Sequence, residues 1–338
     1  MCEAGKRGTN SVVLGGKDGM TVKDFDDFKY PSRKPWLLLI IVAAAIIVFL
    51  LKRADFPRRT GEEAPADDIV AVDATDVTAT VSTDVQPSVS PENAAELMKR
   101  ARACEARGEN DVAALQEARE LYYQLLDLPL PRSTRSEVEV RLGALNVQML
   151  LSPLPMPEKD EYVVRRGDSI QKIARRFGTT IEAVQKGYLV RNPNLIKAGD
   201  RFRVLNGTFT VVAGKSRKDM AVYLNDRFIK RYKVGTGKFG STPVGTFEIV
   251  DRIVNPVWWR PDGKEIPYGH PENILGTRWM AIKATGETPR VKGYGIHGTW
   301  LPESIGKAES SGCIRMLNDE VEELYAMLPL GTAVTIVE

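Results

Sequence analysis

Residues 235–250 read GTGKFGSTPVGTFEIV. Gly235, Gly237 and Gly240 satisfy the G-x-G-x-x-G spacing of a dinucleotide-binding turn. Such a turn needs a helix N-terminus directly after it to meet a pyrophosphate. Here Pro243 follows, and then the β-type run 245–250. The stretch therefore reads as a glycine-rich turn between strands, and the fold around it as β-rich rather than doubly wound.

The neighbouring sequence agrees. Residues 209–212, 220–224, 227–234, 245–250, 279–282, 293–297 and 332–337 are short runs rich in β-branched and aromatic residues, with turn signals at Asn225-Asp226, Asp262-Gly263 and Gly286. One helix is clear after Asp319, which forms a capping box with Glu322 and precedes the stripe Val321, Leu324, Tyr325, Leu328. Residues 208–337 are thus expected to form a mostly-β sandwich or partly closed barrel with one packed helix. The class of the whole chain is α+β multidomain.

Upstream, residues 161–205 read strand, helix, helix, strand. Tyr162–Arg165 starts the unit, Asp168 caps a helix in a box with Gln171, and Ile170, Ile173, Ala174 and Phe177 form its apolar stripe. A second helix spans about 180–186, and 201–205 closes the unit. Residues 90–152 predict three amphipathic helices, from Ser90-Pro91, from about Asp111 and over 136–150; they read as a helical spacer. Residues 52–89 are linker-like: 60–90 carries seven acids and no Lys or Arg.

Residues 36–51, WLLLIIVAAAIIVFLL, contain no polar residue. As a helix they span about 24 Å, and flanking Arg33, Lys34, Lys52 and Arg53 extend their reach toward the roughly 30 Å hydrocarbon core. A retained anchor fits better than a cleaved signal, because the run ends in Lys52-Arg53 without a small-residue cleavage site. Residues 1–35 are then a short tail. A net charge of +3 on 338 residues gives no argument for nucleic acid, and no zinc-type Cys/His spacing is present.

The chain has two histidines and three cysteines, and one of each falls within 296–316, IHGTWLPESIGKAESSGCIRM. A thiol becomes a strong nucleophile when an imidazole, a cation or backbone dipoles ionise it. Cys313 follows Gly312, Ser311 and Ser310, and Arg315 shares its face in an extended segment. His297 ends a strand-like run, with Gly298 beside it. The bland alternatives are a buried hydrophobic cysteine and a structural histidine. His270, between Gly269 and Pro271, is the rival base and reads as a loop residue.

Two resemblances bear on the choice. YVVRRGDSIQKIARRFG, IEAVQKG and NPNLIKAGDRFRV, within 161–205, resemble a LysM domain, which implies a module that binds N-acetylglucosamine polymers. His297-Gly298-Thr299, Ser310–Met316, the stretch VGTGKFGSTPVGTFEIVDRIVNPVWW and Asn273–Trp279 resemble the L,D-transpeptidase catalytic domain of the YkuD-like family, over about 208–337. Many members carry His just before Gly-Cys, where this chain has Ser311, so a second imidazole is absent there.

The second resemblance implies Cys313 as nucleophile, His297 as base and Gly298 as the carbonyl that orients it. Gly312, Ser311, Arg315 and Tyr294 are then the oxyanion and substrate-binding candidates. It implies no metal or organic cofactor, stem peptides and glycan strands of peptidoglycan as partners, and a stem amine as acceptor. Water as acceptor, or wall binding without catalysis, are the alternatives. With the apolar run, the implied location is the bacterial cytoplasmic membrane, single-pass, N-terminus inside and catalytic domain in the envelope. No structural disulfide is expected among Cys2, Cys104 and Cys313.

Overall fold

The structure, a computed structural model, describes residues 91–338 apart from 109–110, 189–191 and 193–194. The tail 1–35, the apolar run 36–51, the linker 52–89 and Cys2 lie outside the described residues. Among the described residues no helix is long and apolar enough to cross a membrane.

Three helices open the described chain: α1 (Pro91–Arg107), α2 (Val112–Leu126) and α3 (Arg132–Leu150). Asp111 caps α2, its carboxylate accepting from the amides of Ala113 and Ala114 at 3.0 and 3.1 Å. α3 begins four residues earlier than its apolar pattern suggests, because Pro131 is tolerated just outside a first turn that the polar residues Arg132–Arg135 then build.

The next unit holds β1 (Lys159–Val163), α4 (Ile170–Phe177), α5 (Ile181–Tyr188) and β2 (Arg201–Leu205), with β1 and β2 antiparallel. Its own small core is Tyr162, Val164, Ile170, Ile173, Ala174, Val184, Phe202 and Val204. The cap of α4 differs from expectation. Ser169, not Asp168, accepts from the Lys172 amide at 3.2 Å. Asp168 is occupied by the Tyr162 hydroxyl and the Arg165 amide, at 2.7 and 2.8 Å, and so closes the turn before the helix.

The remaining strands are β3 (Phe209–Gly214), β4 (Asp219–Leu224), β5 (Arg227–Lys233), β6 (Thr236–Gly237), β7 (Gly245–Val254), β8 (Trp258–Trp259), β9 (Glu265–Ile266), β10 (Arg278–Ala284), β11 (Gly295–His297), β12 (Ala308–Ser310), β13 (Ile314–Arg315) and β14 (Ala333–Val337). Helix α6 (Asn318–Met327) precedes β14. Eight strands form one sheet in the order β13-β11-β10-β7-β14-β3-β4-β5, with β14–β3 and β11–β13 parallel and the other neighbours antiparallel. The described molecule is therefore mixed α+β. The β6, β8, β9, β12 and β13 pieces had no pattern of their own, being two or three residues long. The expected capping box of α6 is also displaced. The helix begins at Asn318 behind Leu317, without a side-chain cap, and Asp319 and Glu320 sit in its first turn, where they suit the helix dipole.

The helices expected as a spacer are packed onto the eight-stranded sheet. Their buried residues, from Met98 to Leu150, belong to one apolar cluster with Phe209, Met220, Ile229, Phe247 and Ile282. β5 is an edge strand, and edges carry unpaired backbone groups. Here the Tyr123 hydroxyl donates to the Phe228 carbonyl at 2.7 Å, and the Asn146 amide donates to the Phe228 and Ile229 carbonyls at 3.1 and 3.0 Å. Behind them Arg119, 1% exposed, donates to Asn146 at 2.7 Å and to Glu158 at 2.5 Å. The small α/β unit is tied on as well. Thr180 donates to the Ala326 carbonyl, and Arg252 pairs with Glu182 at 3.2 Å and donates to the Tyr325 carbonyl.

Candidate active site

The sheet's far end brings together the residues singled out in 296–316. β11 and β13 pair in parallel, with Ile296 opposite Ile314 and His297 opposite Arg315. Ile314 and Met316 are buried in the core, so alternation puts Cys313 and Arg315 on the opposite face, the face that carries His297. Cys313 lies immediately before β13, two residues from the cross-strand partner of His297.

His297 is 2% exposed and stacks on Trp279, its cross-strand partner on β10, with ring centroids 5.8 Å apart. Its Nδ1 lies 2.6 Å from the Gly298 carbonyl, which as an acceptor places the hydrogen of the neutral ring on Nδ1. Burial pushes the His297 pKa down to about 4, and the nearby Arg315 cation adds to this; the Gly298 and Leu275 carbonyls oppose it. The Cys313 thiol is pushed up by burial, while a Gly295 backbone hydrogen bond and Arg315 pull it down. Both directions keep the resting pair uncharged at neutral pH. The thiol, partly exposed, donates to the Gly293 carbonyl at 3.6 Å. No hydrogen bond joins Cys313 to His297 among the described residues.

The turn carrying Cys313 is built on glycine. Gly312 has φ +134°, and a Cβ there would meet the Tyr294 ring at 2.3 Å and the Ser241 carbonyl at 3.0 Å. Across the turn, a Cβ on Gly237 would come 2.7 Å from the Gly312 Cα, so the glycine-rich stretch 235–242 packs directly against the thiol loop. Ser310, buried, clasps the turn: its hydroxyl accepts from the Gly312 amide at 3.0 Å and donates to the Cys313 carbonyl at 2.7 Å. The Gly312 amide is thus engaged within its own turn.

The other expected site residues divide. Tyr294 lies against Gly312, and Arg315 acts electrostatically on both His297 and Cys313, with its Nε buried and without a hydrogen-bond partner. Ser311 is exposed. His270 is exposed on its loop, its Nδ1 accepting from the Glu272 amide at 3.1 Å, and no contact ties it to Cys313 or His297 among the described residues. Cys104 is a free thiol buried among the helices.

Two residues that the sequence reading passed over support the site from outside. Asn273, buried, donates to the Pro256 and Ile266 carbonyls at 3.0 and 3.1 Å and accepts from the Leu275 amide at 2.9 Å. It thereby fixes the loop whose Leu275 carbonyl faces the imidazole. Asn318 accepts from the Thr277 amide at 3.1 Å. An asparagine in a loop, or in the first turn of a helix, gives no local sequence signal of such contacts.

Comparison with known proteins accords with this geometry. Residues 208–336 match the L,D-transpeptidase catalytic domain, YkuD, and residues 162–204 match the LysM domain. A Bacillus subtilis protein named as an L,D-transpeptidase, YqjB, is 42% identical over 135 residues, covering 40% of this chain and 74% of its own. Another from Bacillus subtilis, named YkuD, is 35% identical over 185 residues, covering 52% of this chain and 97% of its own. Among solved structures, an L,D-transpeptidase from Mycobacterium smegmatis is 22% identical, with a TM-score of 0.31 over 41% of this chain and 64% of that one. The chain belongs to the YkuD family of L,D-transpeptidases and carries its LysM domain upstream of the catalytic domain.

Proposed function

We propose that the chain is a peptidoglycan L,D-transpeptidase in which Cys313 is the nucleophile and His297 the general base. The observation that supports this is the parallel pairing of β11 with β13, which sets His297 opposite Arg315, two residues after Cys313. Burial holds the imidazole neutral at neutral pH, so it is unprotonated and available to take a proton.

In this mechanism the Cys313 side chain turns off the Gly293 carbonyl toward His297. His297 takes the thiol proton as sulfur attacks the carbonyl carbon of the third residue of a stem tetrapeptide. The bond from that carbon to the D-alanine nitrogen breaks, and the imidazolium returns its proton to the departing amine. A neighbouring stem amine then attacks the thioester, its proton passes to His297, the carbon–sulfur bond breaks, and Cys313 is reprotonated. The Cys313 amide is assigned to the oxyanion, since Ser310 holds that of Gly312. Arg315, with its Nε free inside the site, is assigned to a substrate carboxylate.

The LysM domain is assigned to the glycan. Because Thr180 and Arg252 fasten it to the catalytic domain, it presents that polymer at a fixed offset rather than on a loose tether. The apolar run 36–51 is assigned as a single-pass anchor, with the N-terminus in the cytoplasm and the catalytic domain in the envelope. Solubility after removal of residues 1–53, with the full chain in the membrane fraction, supports the anchor; a full chain in the soluble fraction refutes it.

Incubation with tetrapeptide-bearing muropeptides tests the reaction. Cross-linked dimers and free D-alanine are expected. Tripeptide monomers alone would assign water as the acceptor, and unchanged muropeptides with retained wall binding would assign a non-catalytic protein.

A further inference from the structure

The imidazole of His297 takes its orientation from the carbonyl of Gly298, and the backbone of Gly298 is held on three sides. The Gly298 amide donates to the Arg278 carbonyl at 3.2 Å. Gly276, at φ +65°, lies against the Gly298–Thr299 peptide: a Cβ there would come 2.5 Å from the Gly298 carbonyl carbon and 2.6 Å from the Thr299 nitrogen. The third side is the side-chain oxygen of Asn318. A Cβ on Gly298 would come 2.2 Å from that oxygen, and one on Gly276 would come 2.3 Å from it. The oxygen thus fills a notch between two glycines, and from that notch it accepts the Thr277 amide at 3.1 Å.

Two carbonyls that face His297 depend on this notch. The Gly298 carbonyl takes Nδ1 at 2.6 Å, and the Leu275 carbonyl belongs to the loop that Asn318 grips through Thr277. We infer that Asn318 is a positioning residue, whose side-chain oxygen locks the Thr277 amide and the Gly298 peptide together and thereby sets the tautomer and ring angle of His297. This rests on His297 being the base for Cys313.

An aspartate at 318 keeps the acceptor and adds a negative charge close to the imidazole. The charged and titratable groups facing the ring are Cys313 and Arg315 from β13 and its lead-in; Arg278 of β10 lies near the Asn318 side instead. Arg278 donates to the Thr277 carbonyl at 2.7 Å and pairs with Glu322 of α6 at 3.5 Å, with Asp319 next to Asn318. Against that set, a new carboxylate stabilises the imidazolium.

The test is single-turnover acylation of the full chain by a stem tetrapeptide donor, read by mass at Cys313 from pH 4 to 9, beside thermal unfolding. Asn318→Ala is expected to slow acylation at neutral pH by about 10–100-fold with little change in donor affinity, the signature of misplacement rather than lost binding. Asn318→Asp is expected to retain most of the neutral-pH rate and to move the acid limb of the profile upward by about one pH unit, a roughly tenfold loss on that limb. Wild-type rates and an unmoved limb in both variants would overturn the inference while leaving the proposed reaction intact. So would a loss that merely follows the unfolded fraction, with the limb of the aspartate variant unmoved. Absence of any adduct on wild-type Cys313 would remove the proposed reaction and this inference with it.

Discussion

Replacing Glu158 with glutamine should unsettle the joint between the helical layer and the catalytic sheet. Arg119 is 1% exposed and its guanidinium has four partners: Glu158 at 2.5 Å, Asn146 at 2.7 Å, the Tyr123 hydroxyl at 3.3 Å and, on the exposed side, Glu120 at 3.6 Å. The glutamine keeps the shape and one acceptor but leaves the buried cation without its buried counter-charge. Breaking such a pair on one side costs about 3–5 kcal/mol, and the retained amide oxygen and half-exposed Glu120 place this case near 3. For a unit of about 250 residues each kcal/mol moves Tm by about 2–4 °C, so the variant should melt about 6–12 °C lower. Replacing the pair together, Arg119→Met with Glu158→Leu, removes both charges and should recover most of that loss. Circular dichroism melts of the full chain at neutral pH measure both, and the continuous apolar cluster predicts one transition for helices and sheet. A shift below 2 °C in the glutamine variant, or separate transitions for helices and sheet, would refute the claim that this joint holds the layers together.

Further expectations concern the site. The His297 pKa is about 4 in the folded chain against 6.5 for the free side chain, so the unfolded chain binds the extra proton between those values. Its contribution is intact above about pH 6.5 and is lost as pH falls toward 4, by about 3 kcal/mol, and His297→Gln should flatten that part of the urea-unfolding profile. An equal pH slope in that variant would contradict the burial argument. Gly312→Ala forces a Cβ to within 2.3 Å of the Tyr294 ring at φ +134°, and should lower stability by about 1–3 kcal/mol and slow Cys313 acylation. Ser310→Ala removes the clasp on the thiol turn; a loss of about 1–3 kcal/mol by urea unfolding is expected, and wild-type stability would show the clasp to be idle.

The sequence made some parts of this architecture readable and concealed others. Long strands such as β3 to β5, β7 and β10 announce themselves through alternation and turn residues, and the stripe of α4 does so through its helical period. His297 and Cys313 stood out because both residue types are scarce, and Gly298 and Gly312 because glycine beside such groups implies close backbone approach. The two-residue strands β6 and β13 are held by partners remote in sequence, and no local pattern encodes them. The docking of α3 on β5 was equally hidden, since Asn146 looks like any polar helix residue until the β5 carbonyls it satisfies are seen. Asp168 shows the remaining kind of miss: two residues compete for one cap, and the choice falls to a Tyr162 hydroxyl six positions away.

The most direct test of the account is the mass of the chain caught mid-reaction. The full chain is mixed with a disaccharide tetrapeptide ending in D-alanine, without an amine acceptor, and quenched in acid. The account predicts an added mass equal to the donor less D-alanine, mapped to Cys313 and absent from Cys313→Ala. An adduct on another residue, or cross-linking by Cys313→Ala at the wild-type rate, would contradict it.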